Sequence, residues 1–285
     1  MLKSNERFDM SPGNLFFSVI CLFLLESGLS AETKLAQHQR KSGQQEQQTE
    51  RPQEAVALQR LAGRAYAIGD YKSAYEYSTK ICDLVPNDIY SHLLRGEISF
   101  AAGRMNESVK AYDKAIGLQP SIEPRLWQRG LALYYADRFA DGVRQFETHQ
   151  TVNSQDVENA VWHLLCAAKI SDVENARKKL IPITGDKRVP MSQIYEMFAG
   201  RMTPEDVLDR ARNTKTKTEP ENQRELQLYY AHLYTGLYHE MLGKPEAARA
   251  ALEKAAKNNP LGKTNFMGQV ARVHLNLRWP DKSRK

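Results

Sequence analysis

The sequence predicts an all-α protein in which antiparallel helix pairs stack into a solenoid, an α–α superhelix. Gly, Arg-Gly and Pro positions recur at a spacing of 34 residues, as Gly69/Gly103 and Pro86/Pro120 show. In a helix pair, small residues allow close approach, Gly supports the turn and Pro ends the second helix. The composition, 41% hydrophobic and 26% charged, excludes collagen, disulfide-rich miniproteins and wholly disordered chains.

Residues 1–31 have the features of a secretory signal peptide. The apolar run Leu15–Leu25 is shorter than the roughly 20 residues that span a bilayer as a helix. Lys3 and Arg7 precede this run and the small residues of Ser27–Ala31 follow it, which predicts export and cleavage after residue 31. An uncleaved anchor and a different start site are the alternatives. Cys21 lacks the preceding small residues of a lipoprotein signal, so the predicted protein is periplasmic or secreted and is not lipidated.

Residues 32–54 are rich in Gln and charged side chains and contain few apolar residues. Such a segment cannot bury enough surface to offset the entropy lost on ordering. The sequence therefore predicts a flexible linker between the signal peptide and the folded part.

The repeat array runs from residue 55 to residue 190. The register divides it into three full repeats and a degenerate fourth, at 55–88, 89–122, 123–156 and 157–190. The fourth keeps the apolar residues of a helix pair, through Val173, Ala176 and Leu180, but loses the Gly and Pro positions. We therefore expect a helix pair in each of the four segments.

The chain beyond the array predicts further helices. Residues 191–228 contain two short helices, Met191–Phe198 and one that begins with Thr203 as its cap, followed by a polar linker. A last copy of the repeat lies in residues 229–277, with Phe266–Leu277 as an apolar-striped capping helix. Residues 278–285 form a basic tail.

These recurring positions resemble the tetratricopeptide repeat (TPR) family, which has a small residue at repeat position 8 and Gly at position 15. Position 8 is filled by Ala62, Gly96, Gly130 and Gly236. Position 15 is filled by Gly69, Gly103 and Gly243. The family's Ala at position 20 is matched by Ala74, Ala176 and Ala248, and its Pro at position 32 by Pro86, Pro120 and Pro260. The resemblance implies a TPR-type superhelix that binds protein or peptide partners.

The layout of signal, repeats, degenerate middle and final repeat also resembles the bacterial envelope TPR lipoproteins that scaffold murein hydrolases. The likeness is clearest in Arg129–Phe146 and Tyr229–Leu277. It implies a scaffold in the cell envelope, although this chain departs from the pattern by having no lipid-attachment Cys.

By the family resemblance, repeat positions 2, 5, 9, 12 and 13 face the concave groove of the solenoid. Six aromatic residues occupy such positions: Tyr66, Tyr90, Phe100, Trp127, Tyr134 and Tyr135. Aromatic side chains anchor interfaces, so we expect these six to bind an apolar or mixed peptide or a partner's helix. Each of them could instead pack against a neighbouring helix. Position 9 holds Gly63, Glu97 and Leu131, which disfavours the terminal-carboxylate ligands of chaperone-binding TPR domains.

The motifs predict no catalytic residue, metal site or cofactor. His239-Glu240 begins a zinc-protease motif, but Gly243 stands where the second His is needed. His163 and Cys166 lie three residues apart, and the alternative function is an envelope-associated hydrolase or transferase that uses them. Cys82 and Cys166 are interpreted as separate buried thiols, although they could pair in an oxidising compartment.

The net charge of +6 is interspersed along the chain, and the predicted export argues against a nucleic-acid partner. The basic tail could contact an anionic envelope surface. The leading hypothesis is thus a non-catalytic adaptor or scaffold. Besides the hydrolase or transferase alternative, a third hypothesis is an assembly factor whose repeats self-associate.

Overall fold

A computed structural model describes residues 42–213 and 221–280, with side chains for 53–213 and 222–280. The predicted signal peptide and residues 281–285 of the tail lie outside the described residues. The described part contains these α-helices in chain order: α1 Ser42–Ile68, α2 Tyr71–Leu84, α3 Ile89–Ala101, α4 Met105–Leu118, α5 Trp127–Tyr135, α6 Phe139–Gln150, α7 Val157–Ile170, α8 Val173–Arg177, α9 Met191–Phe198, α10 Pro204–Arg212, α11 Glu221–Met241, α12 Pro245–Lys257 and α13 Phe266–Arg278. A 3₁₀ helix, Pro120–Arg125, precedes α5. Among the residues described, no helix combines the length and the apolar character needed to cross a membrane.

Consecutive helices pack as pairs, which confirms the predicted all-α solenoid of helix hairpins. The hairpins α1–α2, α3–α4, α5–α6 and α7–α8 follow the predicted register. Asp side chains cap several of these helices by accepting a hydrogen bond from a first-turn N–H group. Asp70 caps α2 in this way through Ser73, and Asp88 caps α3 through Ser91.

The small residues at repeat position 8 lie where two helices of a hairpin touch. A Cβ atom placed on Gly96 would lie 2.6 Å from the Tyr112 ring, and one on Gly130 would lie 2.5 Å from the Phe146 ring. Both distances are shorter than van der Waals contact. The aromatic ring of the second helix therefore occupies the space that a side chain on the first would need.

Three boundaries differ from the prediction. Helix α1 begins at Ser42, so the predicted flexible linker is wrong for residues 42–54, where Gln and Glu, both good helix formers, extend the helix of the first repeat. The second helix of the degenerate repeat, α8, contains only Val173–Arg177, and Leu180 lies beyond it. Helix α11 begins at Glu221, within the predicted polar linker.

The C-terminal helices confirm other expectations. Helix α10 begins with the predicted Thr203 cap, which forms a reciprocal capping box with Asp206. Helices α11 and α12 form the last hairpin, and α13 covers almost the range expected of the capping helix. Helix α13 packs against α12 and also against α3 of the second repeat.

This second contact changes the character of the solenoid. An open array of hairpins has contacts only between neighbouring repeats. Here one continuous hydrophobic cluster extends from Leu93 in α3 to Val273 in α13. The chain returns on itself because the apolar side chains of α13 are buried against distant repeats as well as against their own hairpin.

Candidate functional site

The residues predicted to line the groove fall into a covered part and an open part. Helix α13 covers the part formed by the second and third repeats. The ring of Phe266 stacks on Phe100 with centroids 4.4 Å apart and contacts Trp127 edge-on at 5.3 Å. Phe100 is fully buried and Trp127 is half-buried. These two aromatic residues therefore contact the chain's own C-terminal helix.

Polar contacts join the same helices deeper in the covered part. The Tyr135 hydroxyl and His274 Nδ1 are hydrogen-bonded at 3.0 Å, and the Tyr134 hydroxyl donates to Glu240 at 3.4 Å. Glu240 also lies 3.3 Å from His274 Nε2 and 3.1 Å from Arg278 Nε. Burial lowers the pKa of His274 to about 4. The imidazole is therefore neutral at neutral pH and accepts or donates hydrogen bonds within the core.

Side chains of helix α11 contact the fourth repeat. The Tyr234 hydroxyl donates to Glu158 at 2.8 Å, and Glu158 in turn accepts from Arg188 at 2.8 Å. Arg188 also pairs with Asp156 and Asp186. Burial raises the pKa of Glu158, while the Arg188 guanidinium opposes that rise. This network joins the last hairpin to the fourth repeat, and its charged side chains are paired with one another.

The open part belongs to the first repeat and the start of the second. Tyr90 is 52% exposed, although it occupies an inward position. In the first repeat, the inward residues Gln59, Gly63 and Ala67 are half-buried or exposed. Tyr66 is buried at the edge of this surface, and its hydroxyl donates to Glu97 at 3.2 Å. We call this surface, formed by Gln59, Gly63, Ala67 and Tyr90, the open groove.

Burial raises the pKa of Glu97 to about 7, and the hydrogen bond from Tyr66 opposes that rise. No cation lies within 4 Å of the Glu97 carboxylate among the described residues. Glu97 thus adds a weakly acidic group beside the open groove.

The structure therefore places only one of the six predicted aromatic residues, Tyr90, mainly in solvent. Phe100, Tyr134 and Tyr135 are buried against the C-terminal helices. Sequence reasoning missed that α13 occupies this part of the groove. The sequence carries no signal of this, because the apolar residues of α13 lie on one wide face, and only the structure shows that Gly268 and Gln269 on the other face are buried as well.

The residues of the alternative enzymatic function are buried. Cys166 is fully buried beneath the α6 residue Gly142, and burial strongly raises the pKa of its thiol. His163 Nε2 lies 3.5 Å from Glu147, and burial lowers the pKa of His163. Cys82 donates to the Ser91 carbonyl, and burial raises the pKa of its thiol to about 11. Both thiols are free, and neither has the thiolate character of a nucleophile.

The described residues contain no group of three or more His, Cys, Asp or Glu side chains arranged to hold a metal ion. In the covered part of the groove, Glu240 and Glu158 form ion pairs with arginines of the same chain, Arg278 and Arg188.

Residues 89–122, the hairpin α3–α4, match the profile of the tetratricopeptide repeat family. The match falls on the predicted second repeat, and its Gly96 approaches Tyr112 as the resemblance requires. The chain carries a tetratricopeptide repeat. TPRs mediate protein–protein interactions in general, which supports a role for this chain as a protein-interaction adaptor. The hairpins before and after the matched TPR continue its 34-residue register.

Comparison with curated proteins gave no match. Among solved structures, the chain is similar to the crystal structure of a tetratricopeptide repeat protein from Parabacteroides merdae ATCC 43184, determined at 2.39 Å resolution. The two are 14% identical, with a TM-score of 0.47, over 78% of this chain and 83% of the other. A similarity of this degree carries no argument about function.

Proposed function

We propose that the protein is a non-catalytic TPR adaptor that binds an apolar or mixed segment of a protein partner in the open groove. One observation carries this proposal: Tyr90 is 52% exposed at an inward position, while the other inward aromatic residues are half-buried or buried. A large aromatic side chain held on a rigid helix can anchor a partner at low cost in rotamer entropy.

The open groove also has unoccupied space beside Gly63. A Cβ placed on Gly63 would meet no atom within 4 Å. Glu97 and the Tyr66 hydroxyl border it with polar groups. A partner segment with apolar residues and hydrogen-bonding groups matches this surface better than a purely charged one.

Site-specific photo-crosslinking tests the proposal. A photoreactive phenylalanine analogue replaces Tyr90 in one protein and Ile170 in a control, because Ile170 is exposed to a similar degree, 58%, but lies at the end of α7. We expect a discrete crosslinked protein from position 90 and none from position 170. Tyr90→Ala is expected to prevent capture of that protein, whereas Ile170→Ala leaves capture unchanged. Equal crosslinking at both positions would contradict the proposal.

We further propose that the adaptor works in a bacterial cell envelope after export by residues 1–31. The support is the N-terminal pattern of basic residues, apolar run and small residues. Fractionation of cells that express the full chain tests this, with N-terminal sequencing of the product. We expect a periplasmic or secreted protein that begins at Glu32, and a cytoplasmic one when Leu15–Leu25 is deleted. Retention of the intact chain in the cytoplasm would contradict export.

The non-catalytic part of the proposal rests on the burial of Cys166. Thiol labelling with iodoacetamide checks that burial. We expect Cys166 to be unreactive in the folded protein and reactive in urea. Rapid labelling of Cys166 in the folded protein would instead favour the hydrolase or transferase alternative.

A further inference from the structure

A cleft of about 220 Å³ lies where the ends of the first two repeats meet helix α13. Its walls come from the start of α2, from the turn between α3 and α4 and from the solvent side of α13. Three of its nine lining residues are cationic, namely Lys72, Arg104 and Arg272, and none is acidic. We call this site the basic cleft. Tyr90 is not among its lining residues, so it is distinct from the open groove.

Arg272 is held in place by three neighbours. Its guanidinium lies 4.2 Å from the centroid of the Tyr71 ring, in a cation–π contact. Nη2 donates to the Ala101 carbonyl at 2.6 Å, and Nε and Nη2 both donate to Gln269 Oε1. These bonds pre-organise the guanidinium and leave Nη1 without a hydrogen-bond acceptor in the described part of the chain.

Arg272 also has no counter-ion. No carboxylate lies within 4 Å of its guanidinium among the described residues, although salt bridges elsewhere in the chain meet that distance. Burial lowers the pKa of Arg272, and the neighbouring Tyr71 and Tyr66 side chains oppose that shift. A partly desolvated, unpaired cation with a free pair of N–H donors is a favourable position for an anion.

The other two cations also line the cleft. Lys72 is exposed and forms no ion pair within the described ranges. Arg104 stacks on the Tyr75 ring at 4.3 Å, and among the described residues it forms one ion pair, with Glu107 at 3.8 Å. Like charges that converge on one cleft repel one another, so a bound anion would relieve that repulsion and gain hydrogen bonds at once.

The rest of the lining narrows the chemistry of the ligand. The half-buried Ala102 presents apolar surface beside the cations, and the exposed Asn276 adds an amide. An acidic side chain suits this mixture, since it has an aliphatic stem and a planar carboxylate that an Arg guanidinium can bind with two N–H donors.

We propose that the basic cleft binds an Asp or Glu side chain of a protein partner. The carboxylate accepts hydrogen bonds from Arg272 and Arg104, and Lys72 contributes its charge. The inference rests on the proposed adaptor function only for the source of the carboxylate. Its residues differ from the position-9 residues Gly63 and Glu97, so the cleft is not the groove site of chaperone-binding TPR domains.

Peptide binding to the full chain tests the proposal. The probe is a fluorescent heptapeptide, N-acetylated and C-amidated, with a central Glu-Asp-Glu; its matched control has Gln-Asn-Gln. We expect the acidic peptide to bind at least about tenfold more tightly, and the difference to shrink at high salt. The double variant Lys72→Gln/Arg104→Gln is expected to lose this preference. The control Lys80→Gln/Arg249→Gln removes the same charge from exposed helix surfaces and is expected to keep it.

Arg272→Gln is the most direct variant, and its circular dichroism spectrum is recorded alongside binding. If it fails to fold, the Lys72→Gln/Arg104→Gln protein still decides the question. Equal binding of the acidic peptide to the cleft variant and the control variant would overturn the proposal. So would binding only by a peptide with a free terminal carboxylate, or displacement by inorganic phosphate more effectively than by acetate.

The two proposals fail separately. Acidic-peptide binding that survives while the Tyr90 crosslink is absent contradicts only the open groove. A Tyr90 crosslink without any preference for the acidic peptide contradicts only the basic cleft.

Discussion

Helix α13 covers the inward residues of the second and third repeats but leaves most of those of the first repeat exposed. In the first repeat the inward residues Gln59, Gly63 and Ala67 remain accessible to solvent, whereas the inward Tyr66 is buried. In the second and third repeats the inward residues include Phe100 and Tyr135, and α13 covers them. Large apolar side chains gain from a second layer of helix, while small and polar ones do not. The side chains at equivalent repeat positions thus decide whether a groove stays open.

The buried clusters show the same contrast. The cluster of the first repeat is built mainly from alanines with Tyr66, Ile81 and Ile98. The cluster of the later repeats contains Trp162 and Tyr134 and continues into α13. We therefore expect substitutions in the covered part to have larger effects on stability than those in the open part.

The largest expected effect is that of Phe100→Ala. Phe100 is fully buried beneath Phe266, so its removal leaves a cavity and is expected to lower the free energy of unfolding by about 3–5 kcal/mol. Tyr90→Ala, in the open groove, is expected to change it by less than about 0.5 kcal/mol. Urea titration followed by circular dichroism measures both. Similar losses from the two variants would contradict the division into covered and open parts.

The next effect concerns pH and His274. Its folded pKa of about 4 lies below the value of 6.5 expected when it is unfolded, so the unfolded chain binds the proton first as pH falls. As pH falls from 6.5 to 4, protonation of this group therefore lowers the free energy of unfolding, by on the order of 3 kcal/mol in total. We expect His274→Gln to have a smaller loss of stability over this window. Parallel pH profiles for the wild type and the variant would show that His274 is not the responsible group.

A smaller effect distinguishes two glycines of the first two repeats. Gly96→Ala is expected to destabilise the protein by about 1–3 kcal/mol, because its Cβ would overlap the Tyr112 ring. Gly63→Ala places a Cβ in open space within α1 and is expected to stabilise it by about 0.5–1 kcal/mol. Thermal unfolding of the two variants measures the opposite signs. A destabilised Gly63→Ala protein would mean that the open groove is filled.

A second pH effect, of the opposite sign, concerns Glu97. Its folded pKa of about 7 exceeds the ordinary value of 4.5, so the unfolded chain loses the proton first as pH rises. Stability contributed by the neutral form is present below pH 4.5 and is lost as pH rises towards 7. We expect Glu97→Gln to remove this decline, opposite in direction to the change at His274. If Glu97→Gln and the wild type have the same stability profile between pH 4.5 and 7, the Glu97 carboxylate is not the group whose pKa burial raises.

Much of the fold could be predicted because its signals are local. The 34-residue register predicted the hairpins, and the Thr203 cap predicted the start of α10. Three boundaries were wrong because helix propagation and termination depend on context: α1 extends back to Ser42, α8 ends at Arg177 and α11 begins at Glu221. Of the candidate site, the family resemblance implied which positions face inward, and the sequence carried no information on their accessibility.

The sequence by itself determined that this chain is a series of helix hairpins with aromatic residues at inward positions, because repeat periodicity and glycine spacing act within a few turns of helix. Only the tertiary structure decided which of those aromatics remain free. Phe266 packs on Phe100 across 166 positions of sequence, and Arg272 reaches Ala101 across 171. Contacts between such distant segments leave no periodic signal in the chain, so the covered groove and the basic cleft emerge only when α13 docks.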